Sequence, residues 1–257
     1  MQKEQVQTTK TIAPQYVKNK PAALKAWWGV TNVVNNNVVD LSGNDNYLTK
    51  IDTRHLELST EKAVLNTTDS FSIAAWIKLG SQQLNGKLAL EEGEYALTAV
   101  SQDSATHSAF YLGVRTIEEI KSDGSSTTSL RWNFTASPVD GSETGPIEWL
   151  HAHASTPLDD LALNKWVFLV GVCDLEARVI HLYVPESNEA GIAHMPDAWT
   201  FWKADGGFQI GRGLWLGRKV DFWPGEVGTV RAFSGVLSAD DAKRLYQQDL
   251  TDVFNVQ

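Results

Sequence analysis

Four tryptophans, Trp199, Trp202, Trp215 and Trp223, fall between positions 199 and 223, with Phe201, Phe208 and Phe222 among them. An indole offers a flat apolar face with one polar edge, which suits stacking against the C–H face of a sugar ring. Arg212 and Arg218 bracket Trp215 and bring N–H donors for the hydroxyls such a ring carries. Preformed ligand sites are partly apolar with a few placed polar groups, as this set would be. Trp215, flanked by Gly213 and Gly217, is the ring expected at the surface, with Trp202 and Trp199 as further ligand contacts. Trp223 is expected to pack between layers.

Other constellations invite other chemistry. Asp40, Ser42, Asn44, Asp45 and Asn46 crowd one turn, and such hard oxygen donors suit calcium, with Asp40, Asn44 and Asn46 as the ligands. Ile51 stands where an EF-hand loop needs its bidentate glutamate. The competing reading is that these side chains satisfy the turn's own backbone. His151 and His153 alternate, so a strand would put both on one face, with Glu148, Asp159 and Asp160 near in sequence as further zinc ligands. Glu92 and Glu94, within Glu91-Glu92-Gly93-Glu94, would also share a face. Two carboxylates across a glycosidic bond are what glycoside hydrolysis requires, although a solvated hairpin tip accounts for the run equally well. His107 has serines nearby, but no Gly-x-Ser-x-Gly elbow occurs. Gly211-Arg212-Gly213 lacks the lysine of a phosphate loop. Cys173, the single cysteine, ends the apolar run from Trp166 and reads as a small buried hydrophobe. Asn66-Thr67-Thr68 and Asn133-Phe134-Thr135 match the glycosylation sequon, a triplet common by chance.

Bulk properties remove several classes of partner. The formal charge is −9, which opposes the clustered cations that nucleic acid or an anionic membrane surface would need. No run approaches the ~20 apolar residues of a membrane span, and the first residues, Met1-Gln-Lys-Glu-Gln-Val-Gln, carry no apolar signal core.

The elements that must position these residues are strands. Residues 1–21 read as a loose lead-in, and 22–257 as a single domain without internal repeat. Over Phe71–Leu79 the residues Phe71, Ile73, Ala75, Ile77 and Leu79 fall on one face and Ser72, Ala74, Trp76 and Lys78 on the other, a half-buried strand. Strands are expected also at 24–28, 95–102, 109–114, 129–136, 165–174, 179–184, 207–211 and 227–233, with a hairpin turn over 174–178. Residues 137–163 and 185–205 read as long loops, where binding is commonly built. Ser238 and Asp241 stand at capping-box spacing before a short helix that presents Ala242, Leu245 and Tyr246 on one face.

Eight segments in order resemble the bacterial laminin-G-like, concanavalin A-like jellyroll domains. They are Asp40–Asn46, Phe71–Leu79, Val100–Leu112, Trp166–Asp174, Ile180–Val184, Phe208–Gly213, Trp223–Arg231 and Gly235–Asp240. The resemblance implies an all-β fold: a two-sheet antiparallel β-sandwich with one concave sheet and a short C-terminal helix. It implies a sugar-binding or adhesive module of a secreted bacterial protein, at an extracellular or cell-surface location. Some relatives hold a structural calcium, but Gly228-Thr229 replaces an acidic pair expected near that ion. The family's Asn-Gly hairpin is likewise replaced by Pro185-Glu186-Ser187-Asn188. The expectation is a non-catalytic module that recognises a glycan. The alternatives are a protein-interaction module using loops 137–163 and 185–205, and a glycoside-processing enzyme on the same scaffold.

Overall fold

The computed structural model describes residues 22–30, 37–52, 56–80, 96–141, 148–200 and 202–254. The lead-in 1–21 and the Glu91–Glu94 run lie outside them. In chain order the strands are β1 (Ala23–Gly29), β2 (Asn37–Val38), β3 (Leu48–Asp52), β4 (Glu57–Thr60), β5 (Phe71–Leu79), β6 (Ala96–Asp103), β7 (Ser108–Ile120) and β8 (Ser126–Ala136). They continue with β9 (Leu150–His153), β10 (Trp166–Asp174), β11 (Val179–Val184), β12 (Glu189–His194), β13 (Phe208–Ile210), β14 (Gly213–Trp215), β15 (Arg218–Val220) and β16 (Gly225–Ser234), before the helix α1 (Ala239–Phe254). One sheet runs β1-β16-β5-β10-β11-β12 and the other β2-β3-β4-β13-β6-β7-β8-β9, while β14 and β15 form a separate ribbon. The named strand pairs are all antiparallel.

Alternation decides what lies between the sheets. On β5 the predicted apolar set, Phe71, Ile73, Ala75, Ile77 and Leu79, joins the interior. From the other sheet come Phe110, Phe134 and Phe208, and Phe71 meets Phe110 at 5.2 Å between ring centroids. Trp28 packs at a tilt against Phe208, 5.1 Å between ring centroids, and donates its indole N–H to Asn46 O at 2.6 Å. Gly171 is a glycine because a Cβ there would lie 2.5 Å from the Phe134 ring, so close packing between the sheets excludes any side chain.

The outward face of the six-stranded sheet is closed by α1. Ala74, Phe168, Val170, Val172 and Phe233 pack with Leu237 and Ala242, and Leu245 and Tyr246 of the helix join them. The capping box forms: Ser238 N donates to Asp241 Oδ2 at 2.9 Å and Asp241 N to Ser238 Oγ at 3.1 Å. The helix is longer than the short turn expected. Its Asp249 is buried and takes both guanidinium nitrogens of Arg231, at 2.8 and 2.5 Å, together with the indole N–H of Trp76 at 2.8 Å.

Two expected loops carry strands. Residues 185–205 contain β12, which follows a tight turn through Asn188 in the left-handed region (φ 55°). Among the described residues, 137–163 contain β9 and one 3-10 turn, Asp160–Ala162. Asp140 anchors this stretch by accepting the backbone N–H groups of Ala105, Thr106 and His107. Cys173 is buried, and burial pushes its thiol above the ordinary range, as suits an inert core residue.

Candidate functional site

The outward face of the eight-stranded sheet is polar. Phe110, Leu112, Trp132, Phe134 and Ala136 point inward, so Tyr111, Gly113, Arg115, Arg131, Asn133 and Thr135 alternate outward along β7 and β8. The register places Ser59, Gln209, Ser101, Tyr111, Thr135 and His151 in one row across β4, β13, β6, β7, β8 and β9. A second row holds Thr98, Gly113, Asn133 and His153.

The β14–β15 ribbon is tied to this face by buried charge. Arg212, 5% exposed, pairs with Glu57 at 3.1 Å and Asp103 at 2.6 Å. Lys219 of the ribbon reaches Glu57 at 2.6 Å. Ser108 Oγ donates to Asp103 and accepts from Leu214 N, and the Tyr111 hydroxyl donates to Leu214 O at 2.5 Å. Burial raises the Asp103 carboxyl above its ordinary value, against the pull of the Arg212 guanidinium. Arg212 therefore cannot face a ligand at the rim, which corrects its expected role. It holds the ribbon in place.

The other predicted contacts separate. Trp215 is exposed (38%), beside a two-residue turn in which Leu216 (φ 48°) and Gly217 (φ 71°) both adopt the left-handed conformation of a hairpin loop. Arg218 is exposed and lies opposite Trp215 in the ribbon. Trp199 is core, which corrects its placement as a contact, and Trp223 is core as expected. Trp202 is half-buried, with its indole N–H on Ser137 O at 3.0 Å.

Titration is most perturbed farther along the same face. The His151 imidazole is held down to about 3, first by burial and then by the charges of Arg115 and His153. Its Nδ1 lies 2.9 Å from Thr135 Oγ1, which accepts from Asn133 Nδ2 at 2.6 Å. Burial raises the Asp221 carboxyl to about 6 despite the opposing pull of Arg115. Among the described residues, Asn133 Oδ1 and Gln209 Oε1 are buried side-chain acceptors without a hydrogen-bond partner. Trp149, next to β9, contacts Tyr111 and His107, both at 5.6 Å between ring centroids. Clustered perturbed groups of this kind mark functional-site candidates.

Asn133, singled out only as a sequon, and Arg115, Asp221, Tyr111 and Trp149 were not read as site residues from the sequence. The alternation of Arg131, Asn133 and Thr135 with Leu130, Trp132 and Phe134 is the signal that could have found the first of them. Asn133 is 2% exposed, so its sequon is inaccessible in the folded chain, whereas Asn66 lies in an exposed turn.

The Asp40 turn does not fit a cation. Asp40 accepts from the backbone N–H groups of Trp27, Ser42 and Asn46. Burial raises its carboxyl, but these bonds outweigh that and hold it below its ordinary value. Asn44 and Asn46 turn their NH2 groups to the carbonyls of Leu24 and Lys25. The side chains satisfy backbone here, which corrects the calcium assignment. Among the described residues no three His, Cys, Asp or Glu side chains are grouped to hold a metal, so the zinc set around His151 and His153 is not assembled.

The chain belongs to the concanavalin A-like lectin/glucanase superfamily, whose laminin-G-like family model matches residues 42–243. Similar solved structures include domain 4 of AbnA, a GH43 extracellular arabinanase from Geobacillus stearothermophilus, in complex with arabinotriose. It is 14% identical at a TM-score of 0.48 and covers 88% of this chain and 99% of that one. The CBM40 of the Ruminococcus gnavus IT-sialidase, bound to α2,3-sialyllactose, is 12% identical at a TM-score of 0.39, covering 74% and 95%. The receptor-binding domain of botulinum neurotoxin type G is 12% identical at 0.39, covering 88% and 51%. No curated protein matches the chain.

Proposed function

We propose that this chain is a non-catalytic recognition module that binds a carbohydrate on the outward face of its eight-stranded sheet, beside the β14–β15 ribbon. One observation carries the reading. Polar groups sit in register across this face, with Asn133 Oδ1 and Gln209 Oε1 unpartnered among the described residues, while Trp149, against Tyr111, is half-buried and Trp215 of the ribbon is exposed. The Trp149 and Trp215 rings offer apolar faces for stacking a sugar, and the polar row beside them suits a hydroxyl-rich ligand. The superfamily description is consistent with this, although a fold hosts many functions. An extracellular or cell-surface location belongs to the same proposal.

Calorimetry and a glycan array on the wild type, Trp149→Ala and Trp215→Ala test the reading. We expect oligosaccharide binding that weakens at least tenfold in one variant; no binding by the wild type would overturn it.

A protein-interaction role is the second reading, favoured by one feature. Among the described residues, strand pairing within 117–129 of β7 and β8 is only of the two strands with each other, and Ile120 in this arm is 79% exposed. Stable self-association in light scattering, lost in Ile120→Lys, would favour that role.

A further inference from the structure

All ten tryptophans lie within the described residues, and all but one are engaged inside the chain. Most pack in or against the apolar clusters, Trp27 and Trp166 lie under cations, and Trp149 meets Tyr111 and His107. Trp215 does none of these. The arginines divide in the same way. Arg131, Arg212, Arg231 and Arg244 hold carboxylates, Arg178 donates to the Pro196 carbonyl, and the charge of Arg115 opposes Asp221. Among the described arginines, Arg218 alone has a guanidinium with no hydrogen bond, ion pair or ring contact. The chain carries 31 acidic residues against 22 lysines and arginines, so an exposed guanidinium that has taken none of them is available to an outside anion.

The two unengaged side chains are neighbours. Trp215 and Arg218 are Cα partners across the β14–β15 ribbon, so both project from one face of it. The Leu216–Gly217 turn between them is left-handed at both positions, which matches the twist of the strands and fixes that register. Among the described residues no cation lies over the Trp215 ring, so the indole face and the guanidinium stand open side by side.

The ribbon is also anchored beyond what a surface hairpin needs. Besides the Arg212, Lys219, Ser108 and Tyr111 bonds, Gly217 N donates to Thr106 O at 2.8 Å. These bonds preorganise the pair, which lowers the ordering cost of binding. They also neutralise the carboxylates beneath it, since Glu57 and Asp103 are taken by Arg212 and Lys219. An incoming anion is not repelled by the ribbon's own support.

Resting on the recognition reading above, we infer that the ribbon binds an acidic sugar, a uronic or sialic acid, with its ring on Trp215 and its carboxylate on Arg218. The indole face takes the apolar C–H side of the pyranose. The carboxylate is carried at the edge of that ring and so projects toward the cross-strand neighbour, where a planar guanidinium meets both of its oxygens. A neutral sugar would stack without answering the charge.

Calorimetry of the intact chain with oligogalacturonate, its methyl ester, sialyllactose, lactose and a sulfated galacto-oligosaccharide tests the inference. We expect one or both carboxylated sugars to bind, and the uncharged counterpart to bind more weakly by roughly tenfold or more. Which acid binds identifies the source of the carboxylate. Arg218→Gln and Trp215→Ala are each expected to lose roughly tenfold or more in affinity for that acid, with a Tm within about 2 °C of wild type. Equal binding of acid and uncharged counterpart, or binding confined to neutral or sulfated sugars, overturns the inference and leaves glycan recognition standing. Undiminished affinity in either variant does the same. A Tm lowered by more than about 5 °C in Arg218→Gln also overturns it, because the guanidinium is then structural. Binding to none of the sugars overturns both readings.

Discussion

The outward faces of the two sheets solve opposite problems. On the six-stranded sheet Arg231 and Asp249 are both buried, yet each is answered: the guanidinium binds the carboxylate twice, Trp76 donates to it, and Arg231 also lies 4.9 Å over the Trp27 ring. On the eight-stranded sheet polar groups are equally buried, but Asn133 Oδ1 and Gln209 Oε1 are left over and His151 is held neutral. Burial is therefore common to both faces, and completion is not. A closed network reads as docking of α1, and an open one as a face without such a cover.

The comparison breaks most visibly on the helix side. Asp249→Ala should lower stability by about 3–5 kcal/mol in urea unfolding, because Arg231 is left buried without its counter-charge. A change below about 1 kcal/mol would mean that the helix is a loose appendage. Trp223→Ala, emptying a core site, should cost about 3–5 kcal/mol.

The open face should show itself through pH. His151, at about 3 in the fold against 6.5 ordinarily, leaves the unfolded chain with the extra proton between those values, so its contribution to stability is lost as pH falls below 6.5. Asp221, at about 6 against 3.8, binds its proton first in the fold, so its contribution rises as pH falls from 6. Between pH 6 and 4 the two oppose each other at ~1.4 kcal/mol per pH unit. Relative to wild type, Asp221→Asn should steepen the acid loss by about that slope, and His151→Gln should remove it. Parallel curves for all three proteins would discard the coupling.

The smallest effect is expected at the rim. Trp215→Ala should change stability by less than about 0.5 kcal/mol, since the ring is exposed on a ribbon that Arg212 and Lys219 hold by other means. A drop as large as that of Trp223→Ala would make Trp215 part of the scaffold.

Long strands were legible because one period runs through them. The chain from Phe71 to Leu79 alternates without a break, and the predicted and observed bounds coincide. Short strands were not legible. The four residues Glu57–Thr60 show no alternation, and Glu57 is buried only because Arg212 and Lys219, more than 150 positions later, come to it. The site was legible in pieces: the His151–His153 spacing and the exposed Trp215 could be read locally. Asn133, Arg115 and Asp221 could not, since strand register and a turn bring them together. Arg212 misled because a cation beside a surface ring looks the same in sequence whether its carboxylates are absent or 109 residues away.

β1 pairs with β16, matching Trp28 to Val230, and β16 in turn lies against β5. Half of the six-stranded sheet thus depends on pairings between segments some 150–200 positions apart. Such a layout delays assembly, since distant ends must meet before either is rewarded. A ribosome-bound chain lacking β16 would expose the β5 edge, an invitation to intermolecular strand addition. Expression yield should thus respond to chaperone supply more than to the intrinsic stability of the finished sandwich.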